Sequence, residues 1–430
     1  MSLQFITGNS GNGKTKYLFN RIVKEAKANP RDNYLVIVPE QFTMQTQRQL
    51  VDLSENKAIM NIDVLSFKRL AYRVFDELGI TNLTVLEETG KNLVLRKLAA
   101  QEADKLGVIG RNLNRIGYIS EVKSLLSELV QYNISPEELG RYIASGRLSD
   151  TLSDKLKDVL VLYEAFEKFM QDKYITAEEI LNVLSNVAEE SAILRNSVIA
   201  FDEFTGFTPI QNQLIKKLFV ISKKIYVTLT IDCREDIFKS RGMQELFDMP
   251  KRTVKSLTEM AAFYGIEVEE PIILDKNYRL AENEELSFME QQLFRKRRRS
   301  FKKAPKHIHI DCLRDPKQEL TKIARRINEL VRNENLRYRD IAIVTGDVNI
   351  YAGYVREIFD KYNIPYFIDA TQEILFHPFI EFIRSIPDIA AQNFSADAVF
   401  RFLRCGFSEL LDSEIDVLEN MASRGMTKWI

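Results

Sequence analysis

Cysteine, histidine and tryptophan are scarce in this chain of 430 residues, which contains three cysteines, three histidines and one tryptophan. Cys233, Cys312 and Cys405 lie far apart and form no CxxC pair, which argues against a disulfide framework, a zinc site or a cluster site within the chain. The histidines form no ligand pattern. His307 and His309 alternate along an expected strand, where a structural role outweighs a metal site.

Long apolar runs are also missing, since none approaches the ~18 residues that a membrane-spanning helix needs. The first residues, MSLQFITG, do not resemble a signal peptide, so we expect a cytoplasmic protein. The formal net charge is −1, so no global basic field points to nucleic acid, although a local basic face would be enough. Hydrophobic residues make up 45% of the chain, which suits a globular protein of two or three domains.

Strand and helix patterns alternate at the start of the chain. Residues 3–8 (LQFITG) and 34–39 (YLVIVP) are apolar runs of strand length, and residues 14–28 place apolar side chains at helical spacing. Over residues 84–195 the sequence pattern changes: glycine and proline become sparse, and apolar residues recur mainly at helical spacing. This order predicts an α/β fold with a parallel sheet wrapped by helices and interrupted by a helical insertion.

The expected domain boundaries follow these changes in composition and apolar periodicity. The first α/β domain comprises residues 1–83 and 196–300, the helical insertion residues 84–195, and the start of a second α/β domain residues 301–430. In the second domain we expect strands at HIHIDCL, DIAIVTG and IPYFID. That domain looks unfinished, so we expect an N-terminal fragment of a longer protein. The basic run FRKRRRSFKK, residues 294–303, is either a solvated linker or helix end, or a surface that faces DNA.

Residues 8–15, GNSGNGKT, match the pattern G-x-x-x-x-G-K-[ST] at every fixed position, after a strand and before a helix. Gly11 and Gly13 let the backbone curl, so that its N–H groups and the helix N-terminus face an anion. Lys14 can reach the β- and γ-phosphates of ATP, and Thr15 offers a hydroxyl group to Mg²⁺. The pattern predicts a P-loop, RecA-like domain, and the alternative is a purely structural glycine turn.

Two acids follow another apolar run, in the stretch VIAFDEF. Asp202 comes after four apolar residues, as expected for the strand-end acid that holds Mg²⁺ in P-loop proteins. Glu203 is placed to orient and deprotonate an attacking water molecule. Ordinary strand-end acids are the alternative, because such a pair is common by chance, but the P-loop favours the catalytic interpretation.

The order of these motifs resembles the UvrD-like superfamily-one helicases, whose acidic motif reads DEFQDTxxxQ. Asp202, Glu203, Phe204 and Gln211 match that motif, whereas Thr-Gly at residues 205–206 replaces its Gln-Asp. More specifically, GNSGNGKT, VPEQFT, SFKRLAYRV, DEFTGFTP, YRDIAIV and IPYFID together resemble the AddB family, which forms one half of the bacterial AddAB ATP-dependent helicase–nucleases. The resemblance covers essentially the whole chain.

The resemblance implies ATP and Mg²⁺ at the P-loop, with catalytic roles for Lys14, Asp202 and Glu203 and metal binding by Thr15 and Asp202. The implied ATP-binding residues are Gly8, Ser10, Gly11, Asn12, Gly13, Lys14, Thr15 and Arg279. The resemblance also implies a surface that scans single-stranded DNA for the recombination hotspot Chi, formed by Gln41, Thr43, Phe67, Arg69 and Tyr72. Phe67 and Tyr72 would stack on bases there, unless they pack in the core.

The partners that the resemblance implies are an AddA-type helicase–nuclease subunit and single- and double-stranded DNA. A nuclease domain and an iron–sulfur cluster are implied only for the full-length family member, and neither is visible in this sequence.

Two positions bear on whether such a protein is a motor. Glu235 stands where related motors place a glutamine that senses the γ-phosphate, and a carboxylate would repel that phosphate. The stretch DKNYRL resembles the NYR motif of these helicases, whose arginine contacts the γ-phosphate, so Arg279 is a candidate for that role, with a helix-capping role as the alternative.

We therefore predict an ATP-binding, helicase-like region that scaffolds a DNA helicase–exonuclease complex and scans DNA, with weak or no motor activity. Such a complex would serve DNA repair and homologous recombination. An active ATP-driven superfamily-one translocase is the second hypothesis. A small-molecule kinase or other P-loop NTPase is the third, which the helical insertion and the PEQFT segment disfavour.

Overall fold

A computed structural model describes residues 1–81, 84–108, 116–146, 148–170, 174–295, 299–370 and 374–423. The chain divides into two compact units, residues 1–308 and residues 309–430. The described helices of both units include none that is long and apolar enough to cross a membrane.

The described strands all belong to the first unit. They are β1 (Ser2–Gly8), β2 (Tyr34–Ile37), β3 (Ile62–Leu65), β4 (Val85–Leu86), β5 (Ile175–Thr176), β6 (Val198–Phe201), β7 (Lys224–Thr230), β8 (Glu267–Val268) and β9 (Ile272–Leu274). Seven of them form a sheet in the order β3-β2-β6-β7-β1, with β8 and β9 both on the far edge of β1, and every pairing in it is parallel. The predicted parallel α/β fold is confirmed.

The central strands read as unbroken apolar runs because both faces of the sheet are covered. β2 and β6 are buried at every position, and β1 and β7 at nearly every one. Since parallel strands point the same way, the loops that follow β1, β2, β3, β6 and β7 all leave from the same edge of the sheet. The P-loop, the PEQFT and SFKRLAYRV segments and the acidic pair all begin at or directly after the ends of these strands.

Eleven α-helices lie in the described part of the first unit. They are α1 (Lys14–Ala28), α2 (Thr43–Leu53), α3 (Phe67–Leu78), α4 (Glu88–Gln101), α5 (Ile116–Gln131), α6 (Pro136–Ala144), α7 (Asp150–Met170), α8 (Ile180–Val187), α9 (Pro209–Ile221), α10 (Asp248–Phe263) and α11 (Glu284–Gln292). Gln211, which matched the helicase motif, forms a capping box with Thr208 at the start of α9. This position therefore has a structural role.

Two hydrophobic cores cover the two faces of the sheet. One contains side chains of α1 and α2, such as Leu18 and Leu50, and the other contains side chains of α3, α8, α9 and α10. Helices α4 to α7 bury a separate core of their own, to which Leu126 and Phe166 belong. Helix α8 lies within the range expected for the insertion, yet Leu184 on it packs in the core of the sheet.

The second unit contains α12 (Pro316–Asn333), α13 (Val348–Lys361), α14 (Pro378–Ala391), α15 (Ala396–Leu403) and α16 (Asp412–Ser423). α12 and α13 pack through a small core that includes Leu320 and Phe359. The three strands predicted in this unit are wrong, because its described residues form no strand. The segments around 341–345 and 364–369 have strand-like composition but no neighbouring strand, and Val344 is 92% exposed.

Candidate functional site

The loop between β1 and α1 has the backbone of an anion site. Gly11 and Gly13 adopt left-handed φ angles of 87° and 79°, which a side chain would strain. A Cβ atom on Gly11 would also lie 2.8 Å from Cβ of Arg279, so the close approach itself requires glycine. No side chain caps the N-terminus of α1. Its first N–H groups therefore remain available to an anionic ligand.

Lys14 folds back over this loop. Its Nζ donates hydrogen bonds to the carbonyl oxygens of Gly8 at 3.1 Å and Asn9 at 3.0 Å. Burial lowers the pKa of Lys14, while Glu203 and Asp202 oppose that shift. A cation that is partly desolvated beside open N–H groups is suited to binding phosphate oxygens.

The acidic pair lies opposite the start of α1. Asp202 directly follows β6 and is 1% exposed. The hydroxyl group of Thr15 is 3.4 Å from Oδ1 of Asp202 and 3.3 Å from Oε1 of Glu203, and it can donate to either oxygen. The hydroxyl group of Thr228 on β7 donates a hydrogen bond to Asp202 Oδ1. The structure thus brings together the P-loop and both acids, which lie almost 190 residues apart in the sequence.

The carboxylate of Asp202 has an oxygen atom that a bound cation would contact. Its Oδ2 is buried and has no hydrogen-bond partner in the described part of the chain. Burial raises the pKa of Asp202, even though the hydroxyl groups of Thr228 and Thr15 stabilise its charged form. The buried Oδ2 atom of Asp202 and the hydroxyl group of Thr15 are oxygen atoms of the kind that Mg²⁺ prefers as ligands. Among the described residues no three acids, histidines or cysteines form a metal cage, so phosphate and water would supply the remaining ligands.

The segment that follows β9 covers the P-loop. The backbone N–H groups of Tyr278 and Arg279 donate to the carbonyl oxygen of Gly11 at 3.0 and 3.3 Å. The side-chain amide of Asn277 donates to the carbonyl oxygen of Ser10 at 3.0 Å. Arg279 is exposed beside the loop, so the structure places this predicted residue next to the candidate phosphate site.

Sequence reasoning did not find Asn9, which connects the P-loop to two other segments. Its side-chain amide donates to Glu290 Oε1 on α11 at 2.8 Å, and its side-chain oxygen accepts from the backbone N–H of Cys233 at 2.9 Å. Thr228 was missed as well. Its contact with Asp202 depends on the pairing of β6 with β7, and no local sequence pattern reveals that pairing.

Asp232 was also missed, although its place after the strand β7 could have suggested it. Its buried carboxylate accepts hydrogen bonds from Arg234 and from Arg295, whose guanidinium group is mostly buried. Arg295 belongs to the basic run at 294–303, so at least this member of the run points into the protein. Residues 296–298 of that run lie outside the described residues.

The predicted DNA-binding residues divide into two groups. Gln41, Arg69 and Tyr72 are exposed near the carboxyl ends of β2 and β3. Thr43 is buried, and its hydroxyl group donates to the carbonyl oxygen of Glu40. Phe67 is 7% exposed and packs in the core, so its ring is not available to a base in this structure.

A parallel sheet with a phosphate-type loop after β1 and a buried acid after β6 defines the RecA-like class of α/β proteins. Residues 5–290 match the family described as ADDB, N-terminal, and the chain belongs to this family.

Several relatives are named as the B component of an ATP-dependent helicase/deoxyribonuclease. The chain is 38% identical over 425 residues to the protein of Lachnoclostridium phytofermentans and 33% identical over 426 residues to that of Clostridium tetani. It is 34% identical over 423 residues to that of Caldanaerobacter subterraneus subsp. tengcongensis. Each match covers 98% of this chain but only 36–37% of the relative.

Proposed function

We propose that this chain is the ATP-binding, helicase-like region of an AddB-type subunit. It would belong to a DNA helicase–exonuclease complex that serves double-strand-break repair and homologous recombination. The observation that carries the proposal is the approach of Lys14, Thr15 and the buried Asp202 at the open N-terminus of α1. This arrangement supports the binding of a nucleoside triphosphate, and membership of the AddB family makes ATP the expected nucleotide.

Each residue of the site has a distinct role in the proposal. The N–H groups of residues 9–14 bind phosphate oxygens, and Lys14 leaves the loop carbonyl oxygens to contact the β- and γ-phosphates. Mg²⁺, held by Thr15 and Asp202, would neutralise charge on the phosphates. Glu203 orients a water molecule towards the γ-phosphate, and Arg279 reaches the same phosphate from the segment above the loop.

Weak or absent motor activity is part of the proposal. The carboxylate of Glu235 lies 2.7 Å from the ammonium group of Lys251, so it is engaged in an ion pair. A motor that couples hydrolysis to movement needs a donor at this position to sense the γ-phosphate, and a paired carboxylate cannot act as one. Nucleotide binding would then stabilise the subunit within its complex.

The proposed scanning surface lies at the carboxyl ends of β2 and β3. The exposed side chains of Gln41, Arg69 and Tyr72 there combine hydrogen-bonding, charged and aromatic groups suited to single-stranded DNA, including a hotspot such as Chi. An AddA-type subunit would supply the main motor in the cytoplasm. The nuclease and iron–sulfur centre of the complex would lie outside this chain.

The nucleotide site is tested by Lys14→Ala, with Lys16→Ala as a matched control that removes a neighbouring exposed lysine. Titration of a fluorescent ATP analogue in Mg²⁺ should show wild-type affinity for the control and at least about a 100-fold loss for Lys14→Ala. Equal binding by both variants would contradict the proposal.

A second candidate function, an active translocase, is favoured by the assembly of Lys14, Asp202, Glu203 and Arg279 at one site. Lys14→Ala in the full-length complex separates the two functions. Collapse of processive unwinding would show that this subunit is a motor. Continued unwinding with an altered hotspot response or a less stable complex would support scanning and scaffolding. A chain that binds nucleotide but no single-stranded DNA would instead favour an unrelated NTPase.

A further inference from the structure

Four phenylalanine rings pack together at the carboxyl ends of β3 and β6. The ring of Phe67 lies 5.8 Å from that of Phe201 in a stacked arrangement, and it meets the edge of Phe204 at 5.6 Å. Phe207 lies 5.3 Å from both Phe201 and Phe204 and 6.3 Å from Phe67. Every ring therefore contacts the other three, and such close packing transmits the displacement of one member to its neighbours.

This aromatic cluster brackets the acidic pair of the nucleotide site. Phe201 directly precedes Asp202, and Phe204 directly follows Glu203. Glu203 has a φ angle of 63°, a left-handed conformation that costs free energy for a residue with a side chain. Phe201 and Phe204, on either side of the acidic pair, are both packed in the cluster, and this packing limits the conformations open to the turn. If the cluster loosened, Glu203 would relax to an ordinary backbone conformation and its carboxylate would move.

On its other side the cluster joins the segment proposed to contact DNA. Phe67 is the first residue of α3, between Ser66 and the exposed Arg69. Ser66 donates a hydrogen bond to Glu40, and Arg69 Nε donates to the same carboxylate at 3.0 Å. A ligand that contacts Arg69 therefore acts directly on the first turn of α3, which begins with Phe67.

We propose that Phe67 is a positioning residue that links single-stranded DNA at α3 to the geometry of Asp202 and Glu203. The inference rests on the proposed function, because it requires both ligands to bind. Displacement of the first turn of α3 moves the ring of Phe67, and the strained turn at Glu203 shifts between two backbone conformations in response. Since linkage is reciprocal, bound nucleotide changes the affinity for DNA by the same factor.

The test measures that factor in the full 430-residue chain. A fluorescent ATP analogue is titrated in Mg²⁺ with and without saturating oligothymidine, and the ratio of the two dissociation constants is the coupling factor. We expect the wild-type factor to differ from one by about fivefold or more. Phe67→Leu should bring it within about twofold of one. The affinity for oligothymidine alone should stay at the wild-type value, because the ring contacts no DNA.

Phe219→Leu is the matched control. Phe219 belongs to the same hydrophobic core and is at least as buried, but it has no ring contact with the cluster in the described structure. It should lower the melting temperature and leave the coupling factor unchanged. If Phe67→Leu does not fold, the partly buried Phe204→Leu replaces it with the same expected loss of coupling.

Three results would overturn the inference: a coupling factor of one in the wild type, an unchanged factor in the folded cluster variant, or an equal loss in Phe219→Leu. A wild-type chain that binds both ligands independently overturns only this inference. A chain that binds no nucleotide overturns the proposed function together with it.

Discussion

The carboxylate of Glu235 lies 2.7 Å from the ammonium group of Lys251, whose side chain is 3% exposed. Glu245 approaches the same ammonium group at 3.3 Å. The loop that follows β7 is therefore anchored to α10 through a buried cation. In the proposed function, Glu235 stands where a superfamily-one motor would sense the γ-phosphate, and its carboxylate is engaged in an ion pair instead.

Lys251→Ala should destabilise the first unit by about 2–4 kcal/mol, because it leaves two carboxylates without their buried partner. Lys255→Ala on the same helix removes an exposed lysine and should cost less than about 0.5 kcal/mol. Burial alone would lower the pKa of Lys251, but Glu235 and Glu245 raise it overall. The stabilisation is thus present at neutral pH and is lost as pH rises past the ordinary lysine range. Denaturant unfolding at neutral and alkaline pH measures both effects.

Asp232→Asn should make the protein less sensitive to acid. Burial alone would raise the pKa of Asp232, but hydrogen bonds from Arg234 and the charges of Arg234 and Arg295 lower it to about 2. The charged form therefore contributes about 1–2 kcal/mol at neutral pH, and this contribution is lost as pH falls from about 4 through 2. The variant should be less stable than the wild type at pH 7, and the difference should shrink towards pH 2.

The control for this prediction is Asp236→Asn, which removes an exposed carboxylate from the same loop. Its stability should stay close to that of the wild type at pH 7 in thermal unfolding. A difference between wild type and Asp232→Asn that is constant across the acid range would show that the ion pairs do not depress the pKa.

Thr228→Val should weaken Mg²⁺-dependent nucleotide binding about tenfold. The valine keeps the shape of the side chain but removes the hydroxyl group that donates to the buried Asp202, which would then lose a stabilising hydrogen bond. Thr228→Ser restores the donor and should bind nearly as well as the wild type. Fluorescence titration at several Mg²⁺ concentrations distinguishes the two, and wild-type affinity in the valine variant would remove Thr228 from the site.

Glu40→Gln should strengthen binding of single-stranded DNA about two- to fivefold at low salt. Glu40 neutralises Arg69 through an exposed pair, and glutamine would free the guanidinium group for phosphate. The dependence of log affinity on log salt should steepen by up to about 1. Glu55→Gln removes the same charge from another exposed pair and should leave the slope unchanged. An unchanged slope in Glu40→Gln would place Arg69 outside the DNA path.

The parallel sheet could be predicted because each of its main strands is buried on both faces and therefore reads as an apolar run. The same reasoning failed in the second unit. DIAIVTG and IPYFID have the composition of strands, but a strand forms only when a neighbour accepts its hydrogen bonds, and the described residues supply none. Composition predicts extended chain, and pairing is a property of the tertiary structure.

The role of Phe67 shows the same limit within the site. The sequence supported two roles for Phe67 equally: a ring that stacks on DNA bases, or a ring that packs in the core. An aromatic residue at the start of a helix suits both roles. Its burial against Phe201, Phe204 and Phe207 depends on the adjacency of the β3 and β6 ends across β2. That adjacency follows from strand order, which local patterns do not contain.

The sequence alone determined the P-loop, because its chemistry depends on eight consecutive residues whose backbone and helix start are local features. It also determined family membership, and it singled out both acids that the structure places beside Thr15. Only the tertiary structure decided that Thr15 meets Asp202, that Glu235 is engaged by Lys251, and that Asn9 joins three segments. The contacts of Thr15 with Asp202 and of Asn9 with the backbone of Cys233 join residues far apart in the chain, because parallel strands bring the ends of distant segments to one edge of the sheet.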